Sequence, residues 1–247
     1  MDRIALLVGN SNGLSGVKPD IANWEKFLKS DKGGQWYGNE IKVLMNPERI
    51  ILLSCINGIK DRRPDFAIIV FSGHGAYQRH TILEINENGD TISENDLIGI
   101  APRQISVFDC CREVVVKEEA LSESQKKVRT FSVGGALPRN IRPHYERRIM
   151  EAMPQQICLY ACSVGESAMD TGRGGIYTDN FLRCTSSFSD GECYKLVDAA
   201  HNVAKLGTRT VALGSYHHTQ NPDVTFQPEF IPEGQQLIIG INPDCFK

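Results

Sequence analysis

The chain has 247 residues, of which 41% are hydrophobic and 23% are charged, the composition of an ordinary globular protein. The formal net charge of −3 is too small to indicate a surface for nucleic acid or for an anionic membrane. The longest apolar runs are also too short to span a bilayer. We therefore expect one large domain over residues 1–247, with neither a nucleic-acid nor a membrane partner.

The amino-terminal segment and the cysteines favour a cytoplasmic protein. Residues 4–8 form a short apolar run without a small-residue cleavage site, which predicts a buried strand rather than a signal peptide. Without a secretion signal, we expect reduced cysteines. No cysteine or histidine spacing is typical of a metal site. Four of the eight cysteines lie in or beside apolar runs, where a thiol behaves as a small hydrophobic group: Cys55, Cys110, Cys158 and Cys162.

Short apolar runs alternate with helical patterns along the chain. Apolar side chains recur every three or four residues at 21–28, 50–59, 177–182 and 196–206, which predicts helices. Continuous apolar strands between helices indicate a mostly parallel sheet that is covered on both faces, so we predict a three-layer α/β/α sandwich. The predicted strands are residues 4–8, 41–44, 66–71, 105–108, 157–160 and 211–213.

Two segments interrupt this alternation. Residues 81–92 contain an Asn-Gly pair between two β-like runs, which predicts a hairpin because glycine supplies positive φ. Ser93 and Asp96 then form a predicted capping box for a short helix. Residues 112–150 have little periodicity, and we expect them to be a mobile linker within the single domain.

A histidine and a cysteine follow two of the predicted strands. His74 comes after the strand at 66–71, and Cys111 comes after the strand at 105–108. Because the carboxyl ends of parallel strands meet at one edge of a sheet, both side chains are expected at one site. A thiolate attacks a carbonyl carbon, while an imidazole takes the thiol proton and returns it to the leaving amine. The amides of Gly75 and Cys111 would form the oxyanion hole.

Taken singly, a Gly-His-Gly turn is more often a plain loop and a Cys-Cys pair is more often core, but together the two motifs resemble those of caspase-like cysteine peptidases. The Ser-Gly-His-Gly sequence at 72–75 resembles a motif of metacaspases and of stand-alone prokaryotic caspase-like domains. The Asp-Cys-Cys-Arg sequence at 109–112 resembles their Asp-x-Cys motif, whose third residue is the nucleophile. The resemblance spans most of the chain, from about residue 4 to residue 222. It implies a cysteine endopeptidase in which Cys111, rather than Cys110, acts with His74.

The resemblance also implies a substrate specificity. In metacaspase-like enzymes, the residues that correspond to Asp20, Ser72 and Asp109 line the primary pocket. Two carboxylates in one pocket would favour a protein or peptide substrate with Arg or Lys at the cut, and most of all Arg, whose guanidinium binds carboxylates in a fork geometry. The alternatives are that Asp20 is only an acid in the first turn of a helix and that Asp109 only accepts backbone hydrogen bonds.

Calcium binding and self-cleavage are two further expectations from the resemblance. Metacaspases often need calcium, but the acidic residues after the His motif lack the spacing of a calcium loop, and a solvated hairpin is the alternative. These residues are Glu84, Glu87, Asp90, Glu94 and Asp96. Because caspase-like enzymes are often processed at the linker position, and exposed loops are preferred cleavage sites, we expect self-cleavage near Lys126, Lys127 and Arg129.

Two functions of other classes stay open at this point. One is a catalytically silent caspase-homology scaffold, and the other is a small-ligand-binding sensor domain. The resemblance to stand-alone bacterial proteins implies an effector in defence or cell death, which a small-molecule or protein activator would switch on. Inactive relatives generally lose the cysteine or the histidine, and both are present here, which favours the peptidase.

Overall fold

A computed structural model describes residues 1–114 and 140–246, which fold around one large sheet. The helices are α1 (Val17–Lys29), α2 (Arg49–Arg62), α3 (Arg142–Glu151), α4 (Ile176–Thr185) and α5 (Val197–Tyr216). The strands are β1 (Arg3–Gly9), β2 (Ile41–Met45), β3 (Phe66–Ser72), β4 (Gly75–Tyr77), β5 (Thr81–Glu84), β6 (Thr91–Ser93), β7 (Arg103–Asp109), β8 (Gln155–Tyr160), β9 (Tyr194–Leu196), β10 (Asp223–Gln227) and β11 (Ile238–Ile241).

The large sheet has the order β10-β8-β7-β3-β1-β2 and is parallel except for β10, which pairs antiparallel with β8. Helices α1, α3, α4 and α5 pack on one face. Helix α2 covers the other face together with the small antiparallel sheet β4-β5-β6. This arrangement confirms the predicted three-layer sandwich, although the second outer layer is part helix and part sheet.

Burial on both faces explains the apolar strands. All residues of β1 are buried, and alternate side chains contact opposite layers. Ile4 and Leu6 pack on the α2 side, whereas Ala5 and Leu7 pack on the α1 side. Each fully buried Leu or Ile stabilises the fold by roughly 1.5–3 kcal/mol. The same pattern in β3 and β7 holds the carboxyl ends of the central strands in fixed register.

The prediction of a strand at 211–213 is wrong, because these residues belong to α5. Along that helix the buried positions recur every four residues, at Ala200, Ala204, Thr208 and Ala212. Leu213 is exposed and contributes nothing to the core. A run of three apolar residues is too short for its periodicity to distinguish a helix from a strand. The other five predicted strands and the four predicted helices are confirmed.

The linker expected at 112–150 does not extend to residue 150, because α3 occupies the last part of that range. Pro143 lies in the first turn, where a missing N–H costs no helical hydrogen bond. Tyr145 and Ile149 are buried against the sheet. Arginines and glutamate dominate the rest of α3, and their charge obscured its apolar face in the sequence. The cleavage expected near Lys126, Lys127 and Arg129 lies outside the described residues.

The hairpin predicted at 81–92 is confirmed, with β5 antiparallel to β6 and Gly89 at φ +76°. Ser93 and Asp96 form the predicted capping box around a turn of 3-10 helix. After residue 222, which the sequence motifs did not reach, β10 completes the large sheet and β11 pairs with β9. No helix in the described ranges is long and apolar enough to cross a bilayer.

One pair of cysteines contradicts the expectation that all are reduced. Cys193 and Cys245 form a disulfide that joins positions 52 residues apart. Neither lies in an apolar run, so the argument from apolar surroundings did not apply to them. The four cysteines that do lie in or beside such runs are free, as expected.

Candidate active site

The register of β3 and β7 brings the predicted histidine and cysteine together. The two strands are parallel neighbours, and Ser72 lies opposite Asp109 at their carboxyl ends. His74 and Cys111 each follow one of these residues by two positions. Both side chains therefore line one cavity of about 50 Å³ at the edge of the sheet.

The two adjacent cysteines differ in their surroundings. Cys110 is 2% exposed and packs in the core on the α2 side, where burial raises the pKa of its thiol. Cys111 is partly exposed, and its Sγ lies 3.8 Å from the carbonyl oxygen of Ala168. Burial also raises the pKa of the Cys111 thiol, so a base is needed to form the thiolate near neutral pH.

Gly75 allows the histidine loop to approach the cysteine loop closely. A Cβ at Gly75 would lie 2.7 Å from Cys110 Sγ and 2.8 Å from the carbonyl oxygen of Cys111, both too short for an ordinary contact. Only glycine fits between the two loops. The predicted oxyanion-hole residues, Gly75 and Cys111, therefore lie side by side.

Hydrogen bonds hold the predicted pocket residues, Asp20, Ser72 and Asp109, around the same cavity. The Asp20 carboxylate accepts hydrogen bonds from Ser72 Oγ at 2.8 Å and from the amide of Gly175 at 3.0 Å. Asp109 accepts from the amide of Thr178 at 3.1 Å and from its hydroxyl at 2.6 Å. Donors at the amino-terminal end of α4 thus orient both carboxylates.

Both carboxyl groups are more basic than usual. Burial raises the pKa of Asp109 to about 6, against the opposing effect of the Thr178 hydrogen bonds, and the charge of Asp170 adds to the increase. Burial also raises the pKa of Asp20 well above its ordinary value, and the neighbouring charge of Asp109 raises it further. The cause is the desolvation of like charges that have no positive partner within residues 1–114 and 140–246.

A model of the family described as the caspase domain matches residues 2–227. The chain belongs to the caspase family. No protein with a curated description matches it significantly. Among solved structures, caspase-1 from Spodoptera frugiperda matches with a TM-score of 0.59 and 11% identity, over 91% of this chain and 86% of that one. A protein from Geobacter sulfurreducens matches with a TM-score of 0.53 and 12% identity, over 96% and 100% of the two chains. Both likenesses show the fold.

This caspase-family protein has a third carboxylate at the cavity, Asp170, which the sequence reasoning missed. Its Oδ2 accepts a hydrogen bond from the amide of Gly16 at 2.9 Å, and its Oδ1 accepts from Gly172 at 3.1 Å. The residue belongs to no recognised motif. Its one signal was its place in the loop after β8, a parallel strand whose carboxyl end lies at the same edge of the sheet.

The side chain of His74 has a partner that the sequence also did not reveal. His74 Nε2 lies 2.6 Å from the carbonyl oxygen of Asn12. A carbonyl oxygen can only accept a hydrogen bond, so Nε2 carries the proton of the neutral ring. The other ring nitrogen, Nδ1, is then the atom that can receive a proton from Cys111.

The acidic residues considered for calcium have separate roles in the caspase-family fold. Glu94 accepts a hydrogen bond from the amide of Thr81, and Asp90 accepts from the side chain of Asn86. Asp96 belongs to the capping box. Within residues 1–114 and 140–246, no three acidic, histidine or cysteine side chains are grouped so that they could hold a metal ion.

Proposed function

We propose that this caspase-family protein is a cysteine endopeptidase that hydrolyses peptide bonds after Arg or Lys. One observation carries the proposal. Three carboxylates, those of Asp20, Asp109 and Asp170, line the cavity that also holds the cysteine and the histidine. In the described part of the chain, none of the three forms an ion pair with a Lys or Arg nitrogen within 4.0 Å.

Unpaired buried carboxylates favour a cationic ligand. Burying like charges together is costly, as the raised pKa values of Asp20 and Asp109 indicate, and a positive side chain from the substrate would offset that cost. A guanidinium has five donors in a planar fork, so it can bind more than one carboxylate at once. A lysine ammonium also offsets the negative charge of the carboxylates, but its hydrogen bonds are less directional than those of a guanidinium. An aspartate at the cut would be repelled.

The proposed reaction uses Cys111 and His74, which line the same cavity. The Sγ proton of Cys111 passes to His74 Nδ1, and the thiolate attacks the carbonyl carbon of the scissile bond. The amides of Gly75 and Cys111 stabilise the resulting oxyanion. When the carbon–nitrogen bond breaks, the leaving amine takes the proton from His74. A water molecule, deprotonated by His74, then hydrolyses the thioester and frees the thiol.

Peptides that differ in one residue test the specificity. Four fluorogenic peptides would be identical except for Arg, Lys, citrulline or Asp before the cut. We expect hydrolysis of the Arg and Lys peptides, and far slower hydrolysis of the citrulline peptide, which has the shape of arginine without its charge. Equal rates for Arg and citrulline, or a preference for Asp, would contradict the proposal.

A pH series separates the pocket from the catalytic pair. Because the carboxyl groups must be ionised to bind a guanidinium, and Asp109 has a pKa of about 6, kcat/KM for the Arg peptide should rise as the pH increases through about 6. The Arg-to-citrulline ratio should rise over the same range. A ratio independent of pH between 5 and 8 would show that the carboxylates do not set the specificity.

A further inference from the structure

The loop between β1 and α1 supplies the partner of His74. This loop contains Asn12, whose carbonyl oxygen receives the 2.6 Å contact from His74 Nε2. The loop has no regular secondary structure, and the side chain of Asn12 is exposed. A carbonyl group in such a loop can hold an imidazole in one orientation only if the loop itself is held in place.

Asn10 anchors the loop from its buried end. Its side chain is 0% exposed, which is unusual for an amide and requires that its polar atoms be bonded. Oδ1 accepts a hydrogen bond from the amide of Asn12 at 3.1 Å. Nδ2 donates to the carbonyl oxygen of Glu84 at 2.9 Å and to its carboxylate at 3.2 Å. Asn10 therefore connects the loop to the end of β5.

Glu84 contacts both the histidine segment and the carbonyl segment. Its amide donates to the carbonyl oxygen of His74 at 3.1 Å, which fixes the backbone of the base. Its carboxylate oxygen Oε1 accepts from the side-chain amide of Asn10 and, at 3.4 Å, from that of Asn12. Glu84 thus lies between the backbone that carries His74 and the loop that carries its acceptor.

We infer that Asn10 and Glu84 are positioning residues that hold the Asn12 carbonyl against His74, and thereby keep Nδ1 directed at Cys111. The inference rests on the proposed cysteine-peptidase function. Neither residue lines the cavity that holds Cys111 and the three carboxylates. Their effect passes through the orientation of the imidazole and should appear in the chemical step rather than in substrate binding.

The size of the effect follows from the geometry of proton transfer. A general base must lie within hydrogen-bonding reach of the proton that it removes, and a displacement of about 1 Å costs up to roughly 100-fold in rate. Removing the Glu84 side chain leaves the backbone bonds of residue 84 to His74 and to the Asn10 side chain intact, but it removes the carboxylate that accepts from the side-chain amides of Asn10 and Asn12. We expect kcat to fall roughly 10- to 100-fold, with KM changed by less than about twofold.

The test compares Glu84→Ala, Glu84→Gln and the control Glu87→Ala, which removes a carboxylate from the exposed tip of the same hairpin. Two measurements are made on each intact protein. The first is kcat and KM with the Arg peptide. The second is the rate at which iodoacetamide alkylates Cys111 as a function of pH, followed by mass spectrometry of the Cys111 peptide, with His74→Ala as the reference for a missing base.

We expect Glu84→Ala to lower kcat and to shift its alkylation curve towards that of His74→Ala. Glu84→Gln should have a kcat and an alkylation curve close to those of the wild type, because its amide oxygen can still accept the two hydrogen bonds. Glu87→Ala should match the wild type. If Glu84→Gln and Glu84→Ala are impaired equally, the charge of Glu84 matters rather than its positioning of the loop, and the inference is overturned. An alkylation curve for Glu84→Ala that coincides with that of the wild type would also overturn it.

The experiment distinguishes a failure of the proposed function from a failure of the inference about Glu84, and a second variant covers the case in which Glu84→Ala does not fold. If wild-type protein cleaves no Arg or Lys peptide, the proposed function fails, but the alkylation curves still report whether Glu84 orients His74 towards Cys111. If Glu84→Ala does not fold, Asn12→Ala removes the exposed side-chain bond alone. Asn12→Ala should then lower kcat by a smaller factor than the one expected for Glu84→Ala. An unchanged kcat together with an unchanged alkylation curve would contradict the inference.

Discussion

Both ends of the central sheet bury charged side chains, but within the described ranges these charges are paired at the amino end and unpaired at the carboxyl end. At the amino end, Arg3 begins β1, and its side chain is fully buried. It pairs with Glu40 at 3.4 Å and Glu146 at 3.8 Å, and its guanidinium lies 4.4 Å from the centre of the Trp36 ring. Arg142 pairs with the same two glutamates. Positive and negative charges are balanced there.

At the carboxyl end, Asp20, Asp109 and Asp170 line one cavity without a cationic partner among the described residues. Amide and hydroxyl groups hold them, but such dipoles do not cancel three like charges. A buried charge that is paired within the fold supports structure, and breaking such a pair is strongly destabilising. A buried charge left unpaired costs stability and is the expected feature of a site that binds an opposite charge. Burial of charge alone does not distinguish these two roles.

The largest expected effect is on catalysis at the carboxyl end. Cys111→Ala should lower peptide hydrolysis by at least about 10⁴-fold, because the nucleophile is lost. Cys110→Ala should retain most of the activity, because Cys110 faces the core. His74→Ala should lose roughly 10²–10⁴-fold. Assays with the Arg peptide, together with thermal melting, check this. An inactive Cys110→Ala beside an active Cys111→Ala would reverse the assignment.

The next effect is on stability at the amino end. Arg3→Ala leaves the buried Glu40 and the partly buried Glu146 with one fewer partner, and we expect it to lower the free energy of unfolding by about 3–5 kcal/mol. Activity per folded molecule should not change. Urea unfolding measures the loss. The control Glu25→Ala breaks the exposed Glu25–Lys29 pair and should cost about 1 kcal/mol or less. Equal losses in both variants would show that burial does not distinguish the pairs.

Asp109→Asn should stabilise the protein and weaken its specificity. The folded-state pKa of Asp109, about 6, exceeds its ordinary value of 3.8, so the folded protein binds this proton more tightly than the unfolded chain. The bound proton therefore stabilises the folded protein fully below a pH of about 3.8, and this stabilisation is lost as the pH rises through about 6. At pH 7.5 we expect the free energy of unfolding of Asp109→Asn to exceed that of the wild type by on the order of 1–3 kcal/mol.

The advantage of Asp109→Asn should shrink towards zero as the pH is lowered to 4, and urea unfolding at several pH values measures it. Its Arg-to-citrulline ratio should fall at pH 7.5. Asp179→Asn, which removes an exposed carboxylate from α4, serves as the control for both measurements. A lower stability of Asp109→Asn at pH 7.5 would indicate that the carboxylate is compensated within the fold, as at the amino end.

The smallest effect is expected at Asp170. It is only partly buried, so its charge is better screened than that of Asp109. We expect Asp170→Asn to lower the Arg-to-citrulline ratio by roughly tenfold or less and to leave hydrolysis of the citrulline peptide unchanged. Kinetic measurements with the two peptides determine the ratio. An effect as large as that of Asp109→Asn would mean that Asp170 is the main contact for the basic side chain.

The positions of His74 and Cys111 at one cavity could be predicted because they depend on local features. His74 and Cys111 directly follow apolar strands, and parallel strands deliver their ends to one edge of a sheet whatever the loops do. Asp170 and the carbonyl of Asn12 could not be predicted in this way. Their positions depend on the paths of loops, which hydrophobic periodicity does not specify.

The same distinction explains the errors in secondary structure. A strong apolar period identified α1, α2 and α4, whose buried faces contain large side chains. In α3 the buried face is only Tyr145, Arg148 and Ile149 among charged residues. The last turns of α5 bury Thr208 and Ala212 while exposing Leu213, so the most apolar side chain faces away from the core.

The sequence by itself determined five of the six strands of the large sheet, the layered fold and the edge of the sheet that carries the cysteine and the histidine. These follow from hydrophobic burial along short segments. Only the tertiary structure decided which charges are paired. Asp20 meets the amide of Gly175, 155 positions away, whereas Arg142 meets Glu40, 102 positions away. Electrostatic partners are set by distance in space, and residues so far apart become neighbours only when the layers pack.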